Sequence, residues 1–307
     1  MTDRLLLLDT ASLYYRAYFG VPESIKAPDG TPVNAVRGLL DIVAKLVTLY
    51  RPTQIVACWD DDWRPQWRVD LIPSYKAHRV VEEVPAGPDV EEIPDPLEQQ
   101  VPLIRQALGA IGIPIIGVAE HEADDVIGTL ATKATLPVDI VTGDRDLFQL
   151  VDDERDVRVI YTARGMSNLE VVTDAVVVAK YGVLPAQYAD FATMRGDASD
   201  GLPGVKGVGE KSAATLLRAH GDLQGIREAA ASRRLSAAVS ARFAAASDYL
   251  DVAPTVVAVA TDLDITVPGT VVRALDPAEA DAAEALAEAW NLGSSMTRAL
   301  AALALSD

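Results

Sequence analysis

Three short apolar runs in this 307-residue chain each end on aspartate, and that recurrence constrains the fold more than any other feature. RLLLLDT closes on Asp9, QIVACWD closes on Asp60, and PVDIVTGDRD, strand-like over 138–142, is followed by Asp144 and Asp146. Apolar runs of this length are read as buried strands. Helical patterns separate them, among them VRGLLDIVAKLVTLY (36–50) and ADDVIGTLATKA (123–134). Strands alternating with helices predict an α/β fold with a mostly parallel central sheet flanked by helices. Ligands of such sheets bind beyond the carboxyl ends of the strands, so all three acid groups are expected at one crevice. Half of the residues are hydrophobic, enough for one large core or two modest ones. Two domains are expected, with a boundary near 170.

The segment HEADDVIG (121–128) crowds Glu122, Asp124 and Asp125 into four positions. At a separation of about 4 Å and an effective dielectric near 20, each like-charged pair costs roughly 4 kcal/mol. Capping and the helix dipole offset only about 0.3 to 1 kcal/mol per acid in a first helical turn. Asp197 and Asp200, in RGDASDGLPG, add a fifth acidic segment. Singly, each acid has an ordinary structural use: Asp146 can cap the helix that starts at Leu147, and Asp197 and Asp200 can form Asx-turns. Such uses do not explain why strand ends and a helix start all present acids to the same crevice. An oxygen-only set without neighbouring histidine or cysteine suits hard Mg²⁺ or Mn²⁺, and nine acids are too many for one ion that keeps its waters. Two or more ions are therefore expected, an arrangement suited to phosphoryl transfer. Three dispersed histidines and one cysteine make no zinc spacing, and Cys58, inside QIVACW, reads as a small buried thiol.

A net charge of −18 argues against a nucleic-acid partner unless the charge is distributed unevenly. It is. Residues 201–245 carry seven cations (Lys206, Lys211, Arg218, Arg227, Arg233, Arg234 and Arg242) against Glu210, Asp222 and Glu228. Within this stretch Gly201, Gly204, Gly207 and Gly209 free the backbone to present N–H groups to a phosphate at a helix N-terminus, in a turn that resembles a helix-hairpin-helix. A second basic stretch, RPQWRVDLIPSYKAHR (64–79), interleaves Trp67 and Tyr75 with Arg64, Arg68, Lys76 and Arg79. Read as one helix, it sets its cations on a shared face, to pair with a phosphate while Tyr75 stacks an unpaired base. Residues 80–98 hold seven acids and four prolines and read as an irregular, mobile insertion. The tail from 275, DPAEADAAEALAEAW, is helical by composition. The N-terminal LLLL is too short for a signal-peptide core, and no run approaches the ~18 apolar residues of a membrane span, so a cytoplasmic protein is expected.

Taken in order, LDT, CWD, SYKAHR, HEADD, TGDRDLFQL and RGDASDGLPGVKGVGEKSA resemble the bacterial 5′-nuclease family of flap endonucleases and 5′-3′ exonucleases. The chain is similar to a stand-alone relative of the N-terminal nuclease domain of DNA polymerase I, over about residues 4–260. The resemblance implies a PIN-like nuclease core over 1–170, with a helical arch at about 64–100. It also implies a helical DNA-binding domain over 171–307, with a helix-three-turn-helix at about 197–220. The implied activity is metal-dependent hydrolysis of DNA phosphodiesters at 5′ flaps and 5′ ends, in replication and repair. Asp9, Asp60, Glu122, Asp124 and Asp125 would serve a more buried metal region, and Asp144, Asp146, Asp197 and Asp200 a second. Lys76 and Arg79 would act as catalytic electrophiles at the arch base, beside Tyr75. Tyr15, Arg16, Gly204, Lys206, Gly207, Gly209 and Lys211 would contact DNA, and the glycine turn can also hold K⁺. Implied partners are flapped duplex DNA, including RNA-primed 5′ arms, together with DNA polymerase I and ligase, the nuclease itself acting as a monomer.

Two departures from the family pattern stand out: Thr10 follows Asp9 where glycine is usual, and the arch is acidic beyond Arg79. Two other classes stay open from the residues, a non-catalytic branched-DNA binding module and a metal-dependent phosphatase. The complete set of nine acids speaks against the first. A phosphatase would not need the Lys206/Lys211 turn.

Overall fold

The computed structural model describes residues 3–84, 87–267 and 269–305. Its strands are β1 (Leu5–Asp9), β2 (Gln54–Cys58), β3 (Val80–Glu82), β4 (Val90–Glu91), β5 (Ile115–Ile116), β6 (Val138–Thr142), β7 (Val157–Tyr161) and β8 (Glu170–Val172). Six form one sheet in the order β5-β2-β1-β6-β7-β8, parallel except for β8, which runs antiparallel to β7. The four leucines of β1 are buried and alternate: Leu6 and Leu8 enter one core, Leu5 and Leu7 the other. Burial on both faces is what an unbroken apolar run encodes in a parallel sheet. Cys58 is fully buried, as expected. The chain passes from β1 to β2 on one side and joins β6 on the other, so the strand order reverses at β1 and opens a crevice beyond the ends of β1 and β6.

The helices are α1 (Thr10–Gly20), α2 (Asn34–Tyr50), α3 (Gln66–Leu71), α4 (Asp95–Glu98), α5 (Val101–Ala110), α6 (Ala123–Lys133), α7 (Asp174–Tyr181), α8 (Tyr188–Arg195), α9 (Glu210–His220), α10 (Leu223–Ala231), α11 (Ala237–Ala245), α12 (Ser247–Val257), α13 (Pro277–Ala289) and α14 (Gly293–Ala304). One face of the sheet is covered by α1, α2, α5, α13 and α14, and the other by α6 and helices of the 174–250 region. Two expectations are corrected here. Residues 64–79 do not form one helix: α3 stops at Leu71 because Pro73 follows, Lys76 takes a left-handed φ of 48°, and only a 3-10 turn spans Ala77–Arg79. Among the described residues the arch region is α-helical in α3 and α4 alone, with the 3-10 turn and a β3–β4 hairpin between them. Residues 85 and 86, inside the acidic segment, lie outside the described residues.

The second correction concerns the tail. It is helical, but it does not extend the DNA-binding domain, because Leu292, Met296, Ala299 and Leu303 bury into the same core as Leu39, Val43 and Leu46 of α2. A small-residue stripe on α14 permits that close approach, and Arg298 pairs with Asp41 at 2.7 Å at its edge. Met296→Ala is therefore expected to destabilise the nuclease core by about 2 to 5 kcal/mol, read as a lower urea midpoint. A tail that served only the helical domain would leave that midpoint where it is.

Candidate active site

Six of the nine acids line the crevice, Asp125, Asp146 and Asp200 lie outside its lining, and the acids are positioned by different local devices. Asp9 ends β1 and caps α1, its Oδ1 accepting from the Ser12 N–H at 3.2 Å and its Oδ2 from the Thr142 hydroxyl at 2.6 Å. Asp60 follows β2 and accepts the Ala123 N–H at 2.8 Å, which fixes the start of α6 against the sheet. Asp124 lies in the first turn of α6. Beyond β6, the Asp144 carboxylate accepts the Asp146 N–H at 2.8 Å, and Asp146 opens a 3-10 turn. Asp9, Asp60, Glu122, Asp124, Asp144 and Asp197 line one cavity of 1580 Å³ with Tyr15, Arg16, Lys76 and Arg79. They face this cavity without closing on one point: among the described residues no three acids form a ready-made ion cage.

The electrostatics separate these acids into kinds. Burial pushes the Asp9 carboxyl up to about 7, opposed by the Thr142 hydrogen bond and reinforced by Asp60 and Asp144. Burial likewise lifts Asp60 to about 6, the Ala123 N–H opposing and the charge of Glu122 adding. Asp124 is raised well above the carboxylate range, by burial first and then by Asp9 and Asp144. Asp146 is raised by burial and then by Asp144 and Asp200. Asp144 thus sits between the two groups, and its charge is felt on both sides. Ionising these groups together calls for positive charge that the protein supplies only in part.

Two expected ligands are otherwise engaged. Asp125 is fully buried, and both of its oxygens are taken. Arg68 grips it through two hydrogen bonds of 2.7 Å, and the N–H groups of Ala260 and Glu122 complete the set. Burial alone would raise Asp125, but Arg68 outweighs it and holds the carboxyl below the ordinary value. Its oxygens are thus engaged within the protein, whereas the sequence reading offers them to a metal. Glu122 accepts from Arg68, from the Tyr75 hydroxyl at 2.7 Å and from Lys76, so it anchors the arch base. Tyr75 is only 5% exposed, and its ring is therefore not placed to stack a base. Arg79 remains partly exposed and reaches the Ser199 carbonyl at 2.7 Å and Asp200 at 3.4 Å.

The glycine turn is divided in function. Gly204 has φ of 65°, and a Cβ there would come within 2.6 Å of the Gly196 nitrogen, so this glycine permits backbone packing and does not front a ligand. Gly201 sits equally tightly on Ser74, where the Ser74 hydroxyl bonds its carbonyl at 2.8 Å and the Lys76 N–H bonds Asp200 O at 3.0 Å. The turn is thereby stitched to the arch base. Lys206, Gly207 and Gly209 stay exposed ahead of α9, and Lys211 is exposed in its first turn. Arg68, expected among the phosphate-pairing cations, is instead buried against Glu122 and Asp125, distant in the chain, and Arg195, which stands directly before the GDASD segment, escaped the sequence reading altogether.

Two family models cover this architecture: the 5′-3′ exonuclease N-terminal resolvase-like domain over residues 4–182 and the 5′-3′ exonuclease C-terminal SAM fold over 183–280. The chain belongs to the 5′-3′ exonuclease family. It is a 5′ nuclease and hence a hydrolase, which sets aside the phosphatase reading. A 5′-3′ exonuclease of Streptomyces coelicolor is 59% identical over 97% of this chain and 99% of its own length. DNA polymerase I of Mycobacterium bovis is 42% identical over 72% of this chain and 24% of the polymerase. The exonuclease fold is shared with zinc-bound T5 5′-exonuclease, at 17% identity and a TM-score of 0.65 over 83% of this chain and 89% of the other. Residues 281–304, which include most of α13 and all of α14, lie beyond both family models.

Two substitutions separate the structural acid from the unpaired one. Arg68→Met strips the buried Asp125 and Glu122 of their partner and is expected to cost about 3 to 5 kcal/mol. Asp124 behaves oppositely: a carboxyl whose pKa rises on folding destabilises the folded state above its unfolded value. Asp124→Asn should therefore raise the melting temperature at neutral pH in EDTA. A fall in melting temperature for Asp124→Asn would refute this account of the repulsion.

Proposed function

We propose that this nuclease hydrolyses DNA phosphodiesters where a 5′ arm leaves a duplex, acting as flap endonuclease and 5′-3′ exonuclease with Mg²⁺ or Mn²⁺. The observation that carries the reading is the single cavity lined by Asp9, Asp60, Asp124 and Asp144, of which Asp9, Asp60 and Asp124 are raised by burial and then by neighbouring acids, with Lys76 and Arg79 on the same wall. An oxygen-only donor set of buried, mutually repelling carboxylates fits hard divalent ions. Asp9, Asp60, Asp124 and Asp144 would hold the inner ion, and Asp146, Asp197 and Asp200 the outer one. Such ions, when bound, acidify water and offset the charge that builds on phosphorus.

The remaining work falls to the chain itself. Glu122 keeps Lys76 ionised and aimed along the arch base, because its charge outweighs the loss of solvation that would lower the amine. Arg79 stands at the same wall, free to move from the Ser199 carbonyl onto a phosphate oxygen. Tyr15 and Arg16 line the cavity from α1, and the Arg16 Nε is buried without a partner, a donor available to a phosphate. The exposed Lys206, Gly207, Gly209 and Lys211 would grip the duplex backbone, with Gly204 shaping the turn. A K⁺ ion at this turn would have to compete with Arg242, which bonds the Gly207 carbonyl at 3.0 Å.

We extend the proposal to a cytoplasmic place of action and a monomeric enzyme. Among the described residues no helix is long and apolar enough to cross a membrane. Removing a displaced 5′ arm, RNA-primed or not, leaves a nick with a 5′ phosphate. A polymerase that displaces the arm and a ligase that seals the nick are the partners this chemistry calls for.

The test is cleavage of a 5′-flap duplex, compared with nicked and blunt duplexes, in Mg²⁺ and in Mn²⁺. Asp124→Asn and Asp144→Asn are each expected to slow cleavage by about two orders of magnitude or more while DNA binding by fluorescence anisotropy persists. Undiminished cleavage by both variants would overturn the assignment. DNA binding without any product from the unaltered protein would favour a non-catalytic binding module.

A further inference from the structure

The outer carboxylates differ from the inner ones in the cation they keep. Among the described residues no Lys or Arg stands within ion-pair distance of Asp9, Asp60, Asp124 or Asp144, whereas Arg195 serves two outer acids at once. Its Nη2 lies 3.0 Å from Asp197 Oδ2 and 4.0 Å from Asp146 Oδ1. The guanidinium is held firmly: its side chain is 10% exposed, Nε donates to the Gly196 carbonyl at 3.0 Å, and the Phe191 ring backs it at 5.6 Å. Nη1 is buried, makes no hydrogen bond, and faces Glu210 at 3.8 Å across the start of α9. The other oxygen of Asp197 is occupied by the Ser199 N–H and hydroxyl. None of these contacts has a part in the cleavage reading above.

We propose that Arg195 is the resident counter-cation of Asp146 and Asp197, as Arg79 is of Asp200, and that it sets the affinity of the outer carboxylates for metal. A divalent ion entering among Asp146, Asp197 and Asp200 meets a guanidinium that repels it, hydrogen-bonds one of its ligands, Asp197, and stands 4.0 Å from a second, Asp146. The ion binds only as Arg195 gives way, and Glu210, 3.8 Å from Nη1 and equally far from Arg145, is the carboxylate toward which the guanidinium shifts. The inner acids carry no such competitor. Arg195 is thus a positioning residue that makes the two groups of carboxylates unequal in metal affinity, and it does so from the helix that leads into the glycine turn. The inference rests on the reading that these acids hold divalent ions.

The experiment counts Mn²⁺ bound to the full chain without DNA, following free Mn²⁺ by electron paramagnetic resonance. The unaltered protein is expected to show one tighter and one weaker class of ion. Arg195→Met should tighten the weaker class by about tenfold or more and leave the tighter one in place. Arg195→Lys, which keeps the charge, should retain the original pattern. If Arg195→Met does not fold, Arg195→Gln carries the same expectation, since its amide can still bond the Gly196 carbonyl and Asp197. Loss of the weaker class, or no change in it, in the neutral variants overturns the proposal, as does a single class of equal ions in the unaltered protein. No Mn²⁺ bound to the unaltered protein would instead overturn the metal reading itself.

Discussion

Repulsion among buried carboxylates is the constraint around which the rest of the molecule is arranged. At the carboxyl edge of a parallel sheet the strand ends cannot move apart without breaking the ladder, so acids placed there stay close whatever their charge. The structure answers in two ways. It surrounds Glu122 and Asp125 with Arg68, Lys76 and Tyr75, and among the described residues it leaves Asp9, Asp60 and Asp124 without a cation at ion-pair distance. The first arrangement holds the arch base to α6. The second leaves a concentration of negative charge at the wall of an open cavity, the property a hard cation would exploit.

The same economy joins the two halves of the chain. Gly201 and Gly204 remove the side chains that would block Ser74 and Gly196, so the loop carrying Asp197 and Asp200 lies directly against the arch base. The Lys76 N–H and the Asp200 carbonyl are bonded, and Arg79 reaches across to Ser199 and Asp200. A duplex gripped by the exposed half of the turn would therefore be registered against the cations of the arch through a few residues of backbone. Motion in either element is transmitted to the other without a flexible linker between them.

Much of this was legible in the sequence, and the reason is periodicity. The leucines of β1 and the apolar stretches of β2 and β6 need burial on both faces, which a parallel sheet alone provides, and the acid after each strand then has one place to go. The glycine turn was legible because positive φ and close approach demand glycine. What was not legible is partner choice over long separations. Nothing local to Asp125 says that Arg68, 57 residues away, will take both its oxygens, and nothing near α14 says that its small residues will face α2. The basic stretch at 64–79 misled as one helix because its spacing was read without weighing Pro73, which ends α3 and sends Tyr75 inward.

The overall acidity of the chain also finds its place in this arrangement. The acids Glu82, Glu83 and Glu92 are exposed on or beside the hairpin, and Glu91 and Glu92 both line the cavity. Asp89 is tied down by Arg64 at 2.5 Å, and its carbonyl accepts from the Trp63 indole. Residues 80–98 of the arch thus carry seven acids and no Lys or Arg, whereas residues 201–245, the glycine turn and the helices that follow it, carry seven cations against three acids. A polyanion approaching such a surface is repelled from the arch and drawn to the turn, so the duplex is expected to engage first and the single-stranded arm afterwards. Net charge reports neither face; its distribution does.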